Sequence, residues 1–137
     1  MPIWEPAKEC MEPEELRQLQ LERLQATLNR VYRNVAFYRR RFKEVGFSPE
    51  EDITDLKDLE RLPFTTSHDV SSCYPYEMFA VPLREVVRVH SSSGTMSNPQ
   101  VVGYTRQDLT NWSHLVARIL ALTSSLAYLV TVSFPNG

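Results

Sequence analysis

A chain of 137 residues, 42% hydrophobic and 23% charged, has the composition of a soluble globular domain and is long enough to bury about two thirds of its unfolded surface. A net charge of -2 gives no general reason for a nucleic-acid or anionic-membrane partner. Two cysteines, Cys10 and Cys73, fit neither a disulfide framework nor a metal-ligand spacing and read as free thiols of a reducing cytoplasm; the N-terminus lacks the basic-then-apolar pattern of a signal peptide.

The first long element is predicted over residues 13–35. Pro13 suits a first helical position, and Glu14 and Glu15 set negative charge near the positive end of the helix dipole. Leu16, Leu19, Leu24, Leu28, Val31 and Val35 then recur at helical steps and define one buried stripe. A shorter helix is expected from Tyr38 to Val45, stopped by Gly46. Ser48-Pro49-Glu50-Glu51 has the spacing of a capping box, and Thr54–Leu62 reads as another helical turn closed by Pro63. The basic run Arg39-Arg40-Arg41-Phe42-Lys43 reads as a solvated helix face, because the acidic stretch Glu50–Asp58 offsets its charge.

Pro63, Pro75 and Pro82 punctuate residues 63–82, where irregular structure with at most a turn of helix is expected. Thr66-Ser67-His68-Asp69 reads there as a helix start, not a His–Asp dyad. Short strands follow at Val86–Val89 and Val101–Tyr104. Thr105 and Asp108 again space hydroxyl and carboxylate three apart, ahead of a third substantial helix carrying Leu109, Trp112, Val116, Ile119 and Leu120. Trp112 and the Tyr and Phe residues are assigned to the core. From Ile119 onward no residue is charged, and the segment approaches the roughly 18 residues of a membrane span. Thr123, Ser124, Ser125, Thr131 and Ser133 dilute it, so a helix end followed by a buried strand is expected.

The chemistry lies between the two strands. Ser91-Ser92-Ser93-Gly94-Thr95 is a hydroxyl-rich loop with a glycine that lets the main chain approach a ligand closely. Successive N–H groups, with Ser and Thr hydroxyls, can converge on an anion. Taken alone, such a cluster is more often a plain turn. His90 and Ser91 do not form a nucleophile pair, because adjacent strand residues point to opposite faces. His68 and His114 bring no second catalytic group with them, and neither cysteine has an activating neighbour.

The flanking residues extend the pattern. His90-Ser91-Ser92-Ser93-Gly94-Thr95, then Pro99, then Val101-Val102-Gly103-Tyr104-Thr105, resembles the phosphate loop of the phenylacetate–CoA ligases. These belong to the adenylate-forming superfamily, whose loop typically reads Ser-Ser-Gly-Thr-Thr-Gly-Lys-Pro. The resemblance runs upstream through Ile3-Trp4, Leu21-Glu22-Arg23-Leu24, Phe37-Tyr38-Arg39, Leu62-Pro63-Phe64-Thr65-Thr66, Tyr74-Pro75 and Phe79-Ala80-Val81-Pro82, and continues to about Ala121. It implies an α/β fold in which a helical lead-in, residues 1–80, precedes the strand–phosphate loop–strand–helix of a larger AMP-binding domain, residues 81–137.

The same resemblance implies the reaction. A carboxylate attacks the α-phosphate of ATP, held with magnesium, and releases pyrophosphate; the thiol of coenzyme A then displaces AMP from the acyl-adenylate. Ser92, Ser93, Gly94 and Thr95 would hold the β- and γ-phosphates. Met96, Ser97 and Asn98 stand where the family has threonine, glycine and lysine, which removes a hydroxyl, adds a side chain and deletes a cation. Charge-assisted contacts are about twice as strong as neutral ones, so weakened phosphate binding is expected. The acid pocket, the adenine- and ribose-binding motifs and the mobile C-terminal domain of the family lie downstream, and Leu122–Gly137 departs from its pattern. The chain is therefore expected to be an N-terminal fragment that does not complete the reaction alone. Its expected partners are a nucleotide and a small carboxylic acid in the cytoplasm, with no nucleic acid and no membrane, and self-association stays open. A helical interaction module pairing through residues 13–35, or a remnant tethered to a membrane by residues 119–137, are the alternatives.

Overall fold

A single helical turn, α1 (Pro6–Glu9), precedes a long helix, α2 (Pro13–Asn34), in this computed structural model, which describes residues 3–92 and 98–123. Proline opens α2, as its missing N–H and fixed φ allow. The helix ends without glycine or proline: Val35 turns to extended backbone (φ −114°, ψ 110°) with its side chain fully buried. Helix α3 (Ala36–Glu44) starts on the next residue. The Arg39 side chain donates to the main-chain carbonyls of Tyr32 and Arg33 and holds the bend.

Gly46 stops α3 as predicted, at φ 65°. The Phe47 N–H donates to the Phe42 carbonyl at 2.8 Å and the Gly46 N–H to that of Lys43 at 3.1 Å, the paired bonds of a left-handed helix cap. That cap returns Phe47 to the ring of Phe42, edge to face at 5.4 Å. Leu28, Phe42, Phe47 and Ile53 form the main core, flanked by Leu21, Leu24, Val31, Tyr32, Tyr38 and Leu62. A second cluster joins Val35, Phe37 and Cys73 to Met78 and Ala80. Each large apolar side chain so buried contributes about 1.5–3 kcal/mol. Both cysteines are free thiols, Cys10 exposed and Cys73 buried.

Three expectations are corrected here. The Ser48 pattern does not open a helix. Asp52, not Glu51, returns its carboxylate to the Ser48 N–H (2.6 Å), and the chain turns so that Ile53 enters the core while Gln25 of α2 donates to its carbonyl at 2.8 Å. The next helix is a 3₁₀ helix, Leu56–Arg61, opened by reciprocal bonds between Asp55 and Asp58. The basic run is only partly a solvated face: Arg40 pairs outward with Glu44, whereas Arg39 and Arg41 reach back to carbonyls, Arg41 to that of Phe64 at 3.4 Å. The aromatic residues are not uniformly core: Trp112 is 46% exposed and Phe64 90%.

Residues 63–82 are irregular apart from α4 (Ser67–Ser72), and Thr66 and Asp69 form its capping box. His68–Asp69 is thus a helix start. Strands β1 (Val86–Ser91) and β2 (Val101–Thr105) pair antiparallel, and α5 (Arg106–Thr123) follows directly. Among the described residues no helix is long and apolar enough to cross a membrane; residues 124–137 of the uncharged segment lie outside them.

Candidate functional site

The hairpin frames the predicted loop. Arg88 lies opposite Tyr104, Val89 opposite Gly103, His90 opposite Val102 and Ser91 opposite Val101, with a bulge between Val86 and Arg88. Pairing continues one step past the strands. The Ser92 N–H donates to the Gln100 carbonyl at 3.0 Å, and the Gln100 N–H donates to the Ser92 hydroxyl oxygen at 3.1 Å. These two bonds close the neck of the loop and fix where it leaves and rejoins the sheet. Of the four predicted phosphate ligands only Ser92 is described; Ser93, Gly94 and Thr95, with Met96 and Ser97, lie outside the described residues. The Ser92 main-chain N–H is engaged within the neck, so its hydroxyl proton is the donor left for a ligand.

Asn98 re-enters the described chain as an anchor. Its side-chain amide donates to the carbonyl of Ser71 in α4 at 3.3 Å, tying the loop exit to the helical part of the molecule. A lysine at this position would present an ammonium there in place of the planar amide. Gly103 serves the opposite face of β2. A Cβ built on it would stand 2.5 Å from the Phe79 ring and 3.1 Å from Val86, so only glycine lets that ring close over the hairpin. Asn34 of α2 also donates to Ala80 at 3.1 Å, beside this segment.

Helix α5 begins with the predicted Thr105–Asp108 box: the Thr105 N–H donates to Asp108 at 2.8 Å and the Asp108 N–H to the Thr105 hydroxyl at 3.2 Å. Trp112 then stacks on Tyr104 (5.7 Å), and His90 meets Tyr104 edge-on at 5.0 Å. An open depression of about 390 Å³ lies beside them, lined by Gly103, Tyr104, Asp108, Asn111, Trp112 and Leu115.

The far side of α5 meets the N-terminus. Arg118 grips the Glu5 carboxylate through Nη2 (2.6 Å) and Nε (3.0 Å), and Lys8 bonds the other carboxylate oxygen at 2.8 Å. Hydrogen bonds from Lys8 first, then Arg118, hold the Glu5 carboxyl at about 2. The His114 Nδ1 stands 3.3 Å from Glu5. Sequence reasoning missed this cluster and the Asn98 and Gly103 contacts, because each joins residues far apart in the chain. Only the glycine amid apolar strand residues was a local signal. Among the described residues no group of three or more His, Cys, Asp or Glu is placed to hold a metal ion.

The described fold recurs within solved enzymes. The chain superposes on 2-hydroxyisobutyryl-CoA ligase, solved with 2-HIB-AMP and CoA, with a TM-score of 0.77 and 31% identity over 87% of this chain and 26% of that one. The fold is that of a segment of an adenylate-forming acyl-CoA ligase. No family model matches the chain. Phenylacetate–coenzyme A ligase of Pseudomonas putida is 54% identical over 103 residues, 75% of this chain, and that of Escherichia coli is 49% identical over 107 residues, 78% of it. The chain belongs to the phenylacetate–coenzyme A ligase family and spans 23% and 24% of the length of these two relatives.

Proposed function

We propose that this chain is the phosphate-loop portion of a phenylacetate–CoA ligase-like enzyme, which adenylates an aryl-acetic or similar carboxylic acid with ATP and magnesium and passes the acyl group to coenzyme A in the cytoplasm. In this reading residues 1–80 form the helical lead-in and residues 81–137 the first part of the AMP-binding domain. The observation that carries it is the neck: the Ser92–Gln100 bonds hold the two ends of a Ser- and Gly-containing loop side by side, as a cradle for phosphate oxygens requires. Ser93, Gly94 and Thr95 would supply N–H and hydroxyl donors to the β- and γ-phosphates, joined by the Ser92 hydroxyl. The family's work at this point is charge stabilisation and positioning of the triphosphate while the carboxylate oxygen forms its bond to the α-phosphorus and pyrophosphate leaves.

Two further inferences belong to this reading. Phosphate binding is weak, because Asn98 brings no cation and its amide is engaged by Ser71. The 137 residues alone do not turn over, since they span about a quarter of the family's length. The alternative of an interaction module built on α2 is disfavoured by Leu21, Leu24, Leu28 and Val31, which pack against the chain's own core. Phenylacetate-dependent ATP–pyrophosphate exchange should be absent with the chain alone, and clear turnover would overturn that part. The combined substitution Met96→Thr, Ser97→Gly and Asn98→Lys should raise affinity for magnesium-ATP; an unchanged affinity contradicts the loop assignment.

A further inference from the structure

The chain returns from the hairpin loop through Asn98-Pro99-Gln100, and the two ends of this short leg are tied to different parts of the molecule. At one end the Gln100 N–H donates to the Ser92 hydroxyl oxygen at 3.1 Å, within the neck. At the other the Asn98 side-chain amide donates to the Ser71 carbonyl at 3.3 Å, across 27 positions of sequence. Pro99 stiffens what lies between, since its ring fixes φ and crowds the preceding residue out of the helical region. Asn98 is exposed, so burial does not force its amide onto a protein partner when water would serve. The acceptor is itself firmly held. Reciprocal Thr66–Asp69 bonds close the N-terminus of α4, and Cys73, two residues beyond Ser71, is 8% exposed in the cluster of Val35 and Phe37. The carbonyl that receives Asn98 therefore belongs to a helix fixed at both ends, one of them in the core.

A neutral amide engaged in this way is not free to bind phosphate, and its role is geometric. The Ser92–Gln100 bonds set the width of the neck but not its place relative to the helices. Phe79 over Gly103 and Asn34 on Ala80 hold the hairpin farther from the loop, and Asn98 holds the end that bears it. We propose that Asn98 is a positioning residue of the phosphate site, holding the returning leg of the loop on α4 so that the loop meets the triphosphate in one arrangement. The inference rests on the phosphate-loop reading. It separates two properties of one side chain: Asn98 lacks the charge of a lysine, yet contributes a tie that a residue without an amide would lose.

The test compares the labelled 137-residue chain with Asn98→Ala, which removes the tie without adding or deleting a charge. The Ser72 N–H shares its peptide group with the Ser71 carbonyl, so its amide resonance reports the bond directly. Without nucleotide, Asn98→Ala should shift Ser72, while the amides of α2 and α3 and the urea midpoint stay at the parent's values, as for an exposed substitution. Affinity for magnesium-ATP, read by titration in the same spectra, should fall about threefold, the order expected for one neutral hydrogen bond. An unmoved Ser72 resonance denies the tie and overturns the proposal, whether or not ATP binds. A shifted Ser72 with equal affinity in parent and variant overturns it and leaves the phosphate-loop reading standing. A fall in affinity accompanied by a lower urea midpoint, or by shifts spread through α2 and α3, makes Asn98 a stability residue and overturns it too. No binding of magnesium-ATP by the parent chain removes the reading and the proposal together.

Discussion

Helices α2 and α5 carry equally legible apolar stripes, and the molecule treats them in opposite ways. The α2 stripe closes on α3 and the segment after it from Leu21 to Val31, with Leu28 and Phe42 buried at 7% and 2% exposure, while Leu16, also expected in the stripe, is 42% exposed. Much of the α5 stripe faces outward; the helix is held by the ion pair of Arg118 with Glu5, by the stack of Trp112 on Tyr104 and by burial of Ala121. Amphipathic spacing states that a helix wants a partner; it does not state that the partner lies in the same chain. Among the described residues, the α2–α3 end buries its apolar side chains, whereas Trp112, Leu115 and Val116 of α5 stand 46%, 54% and 38% exposed.

The comparison can be broken first at the finished end. Phe42→Ala removes a ring that touches Tyr32, Tyr38 and Phe47, and should destabilise the fold by about 3–5 kcal/mol, read as loss of cooperative thermal unfolding by circular dichroism. A loss under about 1 kcal/mol would mean that the α2–α3 core is not the stable part. Next comes Gly103→Val, which forces the Phe79 ring off β2 and should cost about 1–3 kcal/mol in urea unfolding.

The polar clip of α5 should matter less, because it lies near the surface. The Glu5 carboxyl is held at about 2, below its ordinary 4.5, so folding favours its ionised form. Its contribution is complete above the ordinary value and disappears as pH falls from 4.5 through about 2. Urea midpoints measured across that window should fall less steeply for Glu5→Gln than for the parent chain. Parallel slopes would deny the Glu5–Arg118 pair its role. Smallest of all, Leu115→Ser should change stability by no more than about 0.5 kcal/mol in urea unfolding, because that side chain is 54% exposed. A large loss of stability would place Leu115 in a core and close the open face.

Much of this was legible locally. Pro13, Gly46, the Thr66–Asp69 and Thr105–Asp108 boxes and the valine runs each act on the backbone within a few residues, and each stands where the sequence pattern put it. The Ser48 pattern failed because a hydroxyl and carboxylates at nearby spacings allow both a helix and a turn, and burial of Ile53 selected the turn. Trp112 was misassigned to the core because hydrophobicity reports a preference for burial and not its fulfilment. At the candidate site the loop sequence was readable and so was its strand frame. The Ser92–Gln100 neck depends on strand register, and the Asn98–Ser71 anchor on a fold in which positions 27 residues apart meet; neither has a local signature.

The most direct test of the nucleotide assignment is a two-dimensional amide spectrum of the labelled chain with and without magnesium-ATP. A dispersed spectrum in which shifts are confined to Ser91–Asn98, with the amides of α2 and α3 unmoved, is the result this account predicts. A dispersed spectrum indifferent to ATP would contradict it, leaving a folded scaffold whose hairpin loop holds no phosphate.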